Sequence, residues 1–284
     1  MPPIISAAWW VDGEPTDRLT LDNRGLAYGD GLFETMRVVE GKIPLLGLHL
    51  SRLSRDAVVL DLSVDVDAIE GGLNQAVSHM SGSGWSQAVI KLIVIRDGSS
   101  QGYAYQPSSK SHHLIRVSEL LLPEKTSVLH SRICKHVLPE HASLAGIKHL
   151  NRLDQVIASR ELETGQEGLM LNPDGFIQDG ISSNVFVIKG DDILTPELSK
   201  GGVKGVMREF LIDQLEKQSQ FGFVEQPIHR SELENADELI FTNAVRGARN
   251  AASIKGTWTS ERTQIGDHLR ALLLEKLSKS FISF

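Results

Sequence analysis

Hydrophobic and polar positions change period several times along the chain, and each change predicts an element. "AAWWV" before Asp12-Gly13, and "FETMRVVEGKIPLL" broken at Glu40-Gly41, carry branched and aromatic residues up to a turn dipeptide, the pattern of hairpin strands. The first third is therefore expected to be a meander around one helix. That helix is placed at "LHLSRLSRDAVVLDL", where Leu50, Leu53, Ala57 and Leu60 recur at helical spacing and put Arg52 and Arg55 on other faces. "QAVIKLIVIRDG" and "HHLIRVSEL" predict two further strands. "LLPEKTSV" then reads as a crossover, so a domain boundary is expected near residue 120.

The remainder mixes both element types. A strand near "SRICKHV" leads to "GIKHLNRLDQV", whose Leu150, Leu153 and Val156/Ile157 predict a helix directly after Lys148 and His149. "EGLMLNPDGFIQDGISSNVFVIKGDDILTP" predicts strands turning at Asp174-Gly175 and Gly190-Asp191. "GGVKGVMREFLIDQLEKQ" is a glycine-rich loop running into an amphipathic helix, followed by "FVEQPIHR", a short acidic helix and the strand "DELIFTNAV". The expected organisation is α+β, with one domain at residues 1–120 and another at 121–284. No internal repeat or low-complexity segment interrupts it.

Composition narrows the functional classes. The 284 residues are 41% hydrophobic and 23% charged, ordinary for a globular protein with a large core in one or two domains. A net charge of −7 without a long basic run argues against nucleic-acid binding and favours a small-molecule substrate. The single cysteine, Cys134, forms no intramolecular disulfide and reads as a buried, inert thiol of a reducing compartment. The first fifteen residues show no basic leader before an apolar stretch, and the most apolar segment, "AVIKLIVI", is short and carries Lys91. A cytoplasmic protein without a membrane span is expected.

Several site types are missing. There is no H-E-x-x-H, paired-cysteine, G-x-S-x-G or G-x-G-x-x-G pattern, and no metal site is expected. "SKGGVKGVMRE" is the first positive signal, because glycines ahead of a helix let backbone N–H groups converge on an anion at the positive end of the helix dipole. Lys204 is followed by Gly205, so this is not a Walker A loop. Taken singly, Lys148 and Arg52 read as surface charges and Asp179 as a turn cap. In combination, an amine, a phosphate cradle and a carboxylate on a neighbouring strand are the parts a pyridoxal 5′-phosphate enzyme needs.

Six stretches, "NRGLAYGDGLFETMRV", "HLSRL", "LAGIKHLNRLDQV", "GFIQDGISSNVF", "TPELSKGGVKGVMRE" and "FTNAVRG", follow the pattern of fold type IV pyridoxal-phosphate enzymes in order and at suitable spacing. Within that group, which also holds branched-chain and D-amino-acid aminotransferases, "GIKHLNRLDQV" and "YGDGLFETMR" resemble most the lyases of 4-amino-4-deoxychorismate. The resemblance implies a small N-terminal α/β domain and a larger C-terminal domain with a β-barrel-like core and surrounding helices.

It also implies the roles of individual residues. Lys148 would hold the cofactor covalently and act as acid and base. Arg52 and the N–H groups of Val206 and Met207 would bind its phosphate, with Asn243 nearby and Val203 packed on the ring. Asp179 stands where the family usually has Glu to pair with the pyridinium nitrogen, and Gln101 where the lyases often have Arg. Arg246 is a candidate reader of substrate carboxylates. A homodimer is implied, with loops around Tyr28 and Gly102-Tyr103 reaching toward the partner's substrate. The implied reaction turns aminodeoxychorismate into 4-aminobenzoate and pyruvate, a step toward folate. The alternatives are an aminotransferase for D- or branched-chain amino acids and a non-catalytic relative.

Overall fold

The computed structural model describes residues 7–16, 18–106, 110–121, 128–218 and 221–277. The chain divides into two compact units, Met1–Leu122 with Lys148–Asn151, and Pro123–Ile147 with Arg152–Phe284. Most of the crossover expected at 121–128 lies outside the described residues.

The first unit contains β1 (Ala7–Val11), β2 (Glu14–Pro15), α1 (Arg24–Tyr28), β3 (Gly31–Val39), α2 (Leu46–Val59), α3 (Val66–Gly82), β4 (Gln87–Arg96) and β5 (Ser111–Glu119). Its sheet runs in the order β2-β1-β5-β4-β3. Asp12-Gly13 and Glu40-Gly41 all have positive φ, as tight two-residue hairpin turns require. The expected meander is corrected, because β3 lies at the edge farthest from β1 and β2. After Gly41 the returning arm makes one bridge, Val39 to Lys42, before α2 begins, so it is too short to form a strand. β3 pairs instead with β4, from Gly31–Ile95 to Val39–Gln87.

Alternation puts Leu32, Met36, Ile90, Leu92, Ile115 and Val117 on one buried face of this sheet. The buried stripe of α2 is His49, Arg52, Leu53, Asp56 and Ala57. Arg52 therefore shares the buried face rather than an exposed one, because Glu34 on β3 gives it a buried partner.

The second unit contains β6 (Leu129–Ile133), α4 (Leu153–Ser159), β7 (Glu167–Leu171), β8 (Ile177–Gly180), β9 (Asn184–Lys189), β10 (Asp192–Pro196), α5 (Val206–Glu216), β11 (Gly222–Gln226), a 3₁₀ turn (Arg230–Asn235), β12 (Glu238–Asn243), β13 (Gly247–Ile254), β14 (Trp258–Thr259) and α6 (Gln264–Lys276). The strand order is β11-β10-β9-β12-β13-β6-β7-β8, with β14 on β13. β8, at one end of that order, lies against β9 and β10 near the other, so the sheet curls into a barrel-like core. Leu169, Val185, Val187, Leu239, Phe241 and Ile254 fill it, and Trp258 closes one side by donating Nε1–H to Ala236 O at 2.7 Å. Glu238 fastens α6 to the sheet by accepting the N–H groups of Ile265 and Gly266 at 2.8 and 3.0 Å.

The helix expected after Lys148 starts only at Leu153. Leu150 instead belongs to an extended segment, donating its N–H to Gly31 O. The apolar spacing of this helix does not mark an inward face, since Leu153 is 75% exposed and Val156 and Ile157 are exposed too. Cys134 is buried, and burial pushes its thiol up to about 11, which makes it a poor nucleophile. Among the described residues no helix is long and apolar enough to cross a membrane, and no cluster of His, Cys, Asp or Glu could hold a metal.

Candidate active site

Residues 148–151 join the first unit by running antiparallel to the edge strand β3. Leu32 bridges His149, and Phe33 donates its N–H to Lys148 O at 3.0 Å. The Lys148 N–H in turn donates to Asp56 Oδ2 at 3.0 Å. With both backbone groups fixed, the half-buried side chain leaves the sheet edge in a defined direction, and its Nζ rests 4.2 Å from the centroid of the Phe33 ring.

Beneath this segment lies a buried polar cluster on α2 and β3. Arg52 Nε donates to Glu34 Oε1 at 2.8 Å while its second nitrogen reaches Oε2, a two-pronged pairing. His49 Nδ1 meets Glu34 Oε2 at 2.7 Å. Burial alone would raise the Glu34 pKa, but the Arg52 charge and the hydrogen bonds from His49 and Arg52 outweigh it and hold the carboxyl at about 2. Burial lowers the His49 pKa, and among the described residues its Nε2 has no hydrogen-bond partner. Asp56 is shifted the other way, upward, chiefly by burial.

Tyr28 and Tyr103 also belong to this unit, with ring centroids 5.2 Å apart. The Tyr28 hydroxyl donates to Ser100 O, while Tyr103 is 84% exposed. Tyr28 ends α1, and the loop that displays Tyr103 is organised by Arg24. Its guanidinium is buried and donates to the carbonyls of Ser99, Gly102, Tyr103 and Ala104, and its Nε to Asp30. Arg96 shares Asp30 and stacks on Tyr105 at 3.8 Å. Gln101, the departure from the usual Arg, sits within this loop and is exposed.

In the second unit Asp179 projects from β8 with each carboxylate oxygen engaged. Asn184 Nδ2 donates to Oδ1 at 2.8 Å, and the Val203 N–H donates to Oδ2 at 2.9 Å. Asn184 Nδ2 also donates to Val203 O at 2.7 Å, fixing the backbone on both sides of Val203. Val203 and Lys204 pair with Gly146, two residues ahead of Lys148 in the chain. Gly205 is the N-cap of α5 and offers no side-chain cap, so Val206 and Met207 present first-turn N–H groups. A Cβ on Gly205 would stand 1.9 Å from Asn184 Oδ1, so only glycine fits there. Thr242, opposite Asn184 in the β9–β12 ladder, buries a hydroxyl that has no hydrogen-bond partner among the described residues.

Asn243 ends β12, and Arg246 falls in the turn that leads into β13. Asn243 Oδ1 accepts the N–H groups of Val245 and Arg246, and its Nδ2 donates to Ser182 O at 3.2 Å. Asn243 thus shapes the turn, and the Arg246 side chain is exposed at its tip. Sequence reasoning did not single out Glu34, His49, Arg24, Asn184 or Thr242. Asn184 was within reach, since it closes the "DGISSN" stretch that carries Asp179. The others lie at positions that only pairing across the fold makes significant.

These features define a class of protein. Residues 31–254 match the amino-transferase class IV family, and the chain belongs to it. Its fold is that of the pyridoxal-phosphate-dependent fold type IV enzymes. The crystal structure of 4-amino-4-deoxychorismate lyase from Pseudomonas aeruginosa is similar with a TM-score of 0.83 and 32% identity, over 95% of this chain and 99% of that one. Aminodeoxychorismate lyase of Bacillus subtilis is 31% identical over 78% of this chain and 77% of its own length. A branched-chain-amino-acid aminotransferase of Pseudomonas aeruginosa is 26% identical over 96% of this chain and 91% of its own length.

The residues present fit the family's cofactor. A phosphate suits the uncapped start of α5, where N–H groups and the helix dipole favour an anion. The orphaned Thr242 hydroxyl, beside Asn184 and hence beside Gly205, lacks the partner such an anion would supply. Asp179 is a fixed acceptor of the kind a protonated ring nitrogen needs.

Proposed function

We propose that the protein is a pyridoxal-phosphate-dependent lyase that converts 4-amino-4-deoxychorismate into 4-aminobenzoate and pyruvate. The observation that carries the site assignment is Lys148, an amine whose backbone is fixed by Asp56 and β3 and whose Nζ lies against an aromatic ring. The likeness to lyases at 31% and 32% identity supports the choice of reaction.

When bound, the cofactor acts as an electron sink that acidifies the C–H beside the substrate nitrogen. Lys148 would hold the cofactor, and its Nζ is the base that would accept that proton. It returns a proton to the departing enolpyruvyl group, and the remaining ring becomes aromatic. Val206 and Met207 bind the phosphate through their N–H groups, with Arg52 as its counter-charge and Thr242 as a further donor. Asp179, kept in place by Asn184 and Val203, would pair with the protonated ring nitrogen, and the Val203 side chain would pack on the ring. Arg246, Tyr28 and Tyr103 are assigned to substrate recognition, and the working form to a homodimer in the cytoplasm.

Phe33 lacks the hydroxyl that D-amino-acid aminotransferases tend to present there, which favours the lyase over transamination. The test is direct: purified protein should release 4-aminobenzoate and pyruvate from aminodeoxychorismate, and Lys148→Ala should abolish this. Turnover of D-alanine or branched-chain amino acids with 2-oxoglutarate, without 4-aminobenzoate, would assign an aminotransferase instead. Biological activity unchanged in Lys148→Ala would point to a non-catalytic role. A monomer in light scattering at working concentration would refute the dimer.

A further inference from the structure

One carboxylate and one guanidinium occupy strand positions where alternation puts apolar side chains. Glu167 opens β7, in phase with Leu169 and Leu171, which belong to the barrel-like core. Arg249 on β13 is the register partner of Phe241, another core residue. Its Nη2 stands 3.5 Å from Glu167 Oε2, with the Glu167 side chain 5% exposed and that of Arg249 22%. β6 lies between β7 and β13, so the pair reaches across a strand.

Glu167 also holds a turn. Its Oε1 accepts the Ser182 N–H at 3.3 Å and its Oε2 the Ser182 hydroxyl at 3.2 Å, both from the segment that joins β8 to β9. The Ser182 carbonyl accepts from Asn243 Nδ2 at 3.2 Å, and Asn243 Oδ1 accepts the Arg246 N–H at 2.7 Å. Hydrogen bonds therefore run from Glu167 through Ser182 and Asn243 to the backbone of Arg246, and three residues later Arg249 returns to Glu167. One carboxylate thus clamps two turns: the first joins Asp179 to Asn184, and the second carries Arg246. Burial lowers the Arg249 pKa, Glu167 opposes this, and the Arg246 charge adds to the lowering, so the two guanidinium groups sense each other.

We propose that Glu167 is a positioning residue for substrate recognition, which spaces the β8–β9 and β12–β13 turns so that Arg246 meets a substrate carboxylate at a set distance from Asp179. A buried ion pair adds little net stability over apolar side chains of similar size, because desolvation offsets its attraction; what this pair supplies is an arrangement. Two-pronged pairing of a guanidinium with a carboxylate depends on that arrangement, since both groups are planar. Without the Glu167 charge, Arg249 loses its counter-ion and repels Arg246, and the turn shifts. Because Glu167 acts through the turns, its loss is felt in substrate binding before chemistry. The inference rests on Arg246 reading the substrate under the proposed function.

The test compares Glu167→Gln and Ser182→Ala, each alone and combined with Arg246→Ala, in full-length protein loaded with pyridoxal phosphate. Glu167→Gln should raise KM for aminodeoxychorismate about fivefold and leave kcat within about twofold, and Ser182→Ala should do the same more weakly. In the Arg246→Ala background neither change should raise KM further, because the side chain they position is gone. An equal rise in that background, a fall in kcat at unchanged KM, or a wild-type KM in both variants would overturn the proposal. Should Glu167→Gln fail to fold, Ser182→Ala carries the same comparison. Hydrogen exchange reads the turns without turnover: residues 181–183 and 244–247 should exchange faster in Glu167→Gln, while β9 and β12 keep wild-type protection. Wild-type protection at both turns would overturn the proposal. A wild-type protein that releases no 4-aminobenzoate fails the lyase reading, and exchange at the Arg246 turn then decides whether Glu167 sets it.

Discussion

Asn184 donates one amide nitrogen both to Oδ1 of Asp179 and to the carbonyl of Val203, so a single side chain ties the carboxylate to the loop that precedes α5. Replacing it by Ala leaves a buried carboxylate one donor short. The Asn184→Ala variant should lose about 1–3 kcal/mol of stability, read from urea denaturation. A midpoint equal to wild type would show that Asp179 is adequately held without Asn184.

Gly205 makes the same contact testable from the other side. A methyl group there would overlap Asn184 Oδ1, which sits 1.9 Å from the ideal Cβ. Gly205→Ala must push Asn184 aside and release both of its hydrogen bonds. Affinity for pyridoxal phosphate should fall at least about tenfold, equivalent to about 1.4 kcal/mol, in a fluorescence titration. Undiminished affinity would separate Asn184 from cofactor binding.

Acid sensitivity should be set partly by Glu34. Its pKa in the folded protein is about 2 against an ordinary 4.5, so it contributes stability that is present above the unfolded value and lost as pH falls through the folded one. The loss should be on the order of 3 kcal/mol between about pH 5 and pH 2. His49, whose pKa burial also lowers, acts in the same direction, because the unfolded chain takes up its proton first. Glu34→Gln should flatten the acid limb, while costing about 3–5 kcal/mol at neutral pH by leaving Arg52 buried without its partner. Denaturation midpoints across this range would show both effects.

The loop at residues 99–104 depends on one buried guanidinium. Arg24→Ala removes the donors to four carbonyls and one of the two arginines on Asp30. Hydrogen exchange should become faster across this loop, and global stability should drop by about 3 kcal/mol. Arg24→Lys should recover little, because a single ammonium cannot reproduce the planar fork. Protection equal to wild type in Arg24→Ala would mean that Asp22, which accepts the Ser100 N–H at 2.7 Å, suffices to hold the loop.

Local chemistry made much of this protein legible from its sequence. The positive φ at Asp12-Gly13 and Glu40-Gly41 follows from what those dipeptides tolerate, and β4, β5 and α5 follow from side-chain periodicity. The motifs around Lys148, Asp179 and Gly205 were visible because each is a short run whose residue types carry their own chemistry.

Tertiary structure decided the rest, wherever the deciding partner is distant in the chain. Strand pairing carried β3 to the far edge of its sheet, because its neighbour is β4 and not the short arm after Gly41. Burial of Arg52 required Glu34, eighteen residues away, since a charge enters a core only with its partner. Lys148 rests beside Phe33 because residues 148–151 add an antiparallel segment to β3. Spacing within one segment reveals which face a residue occupies; only pairing between segments reveals what it meets there.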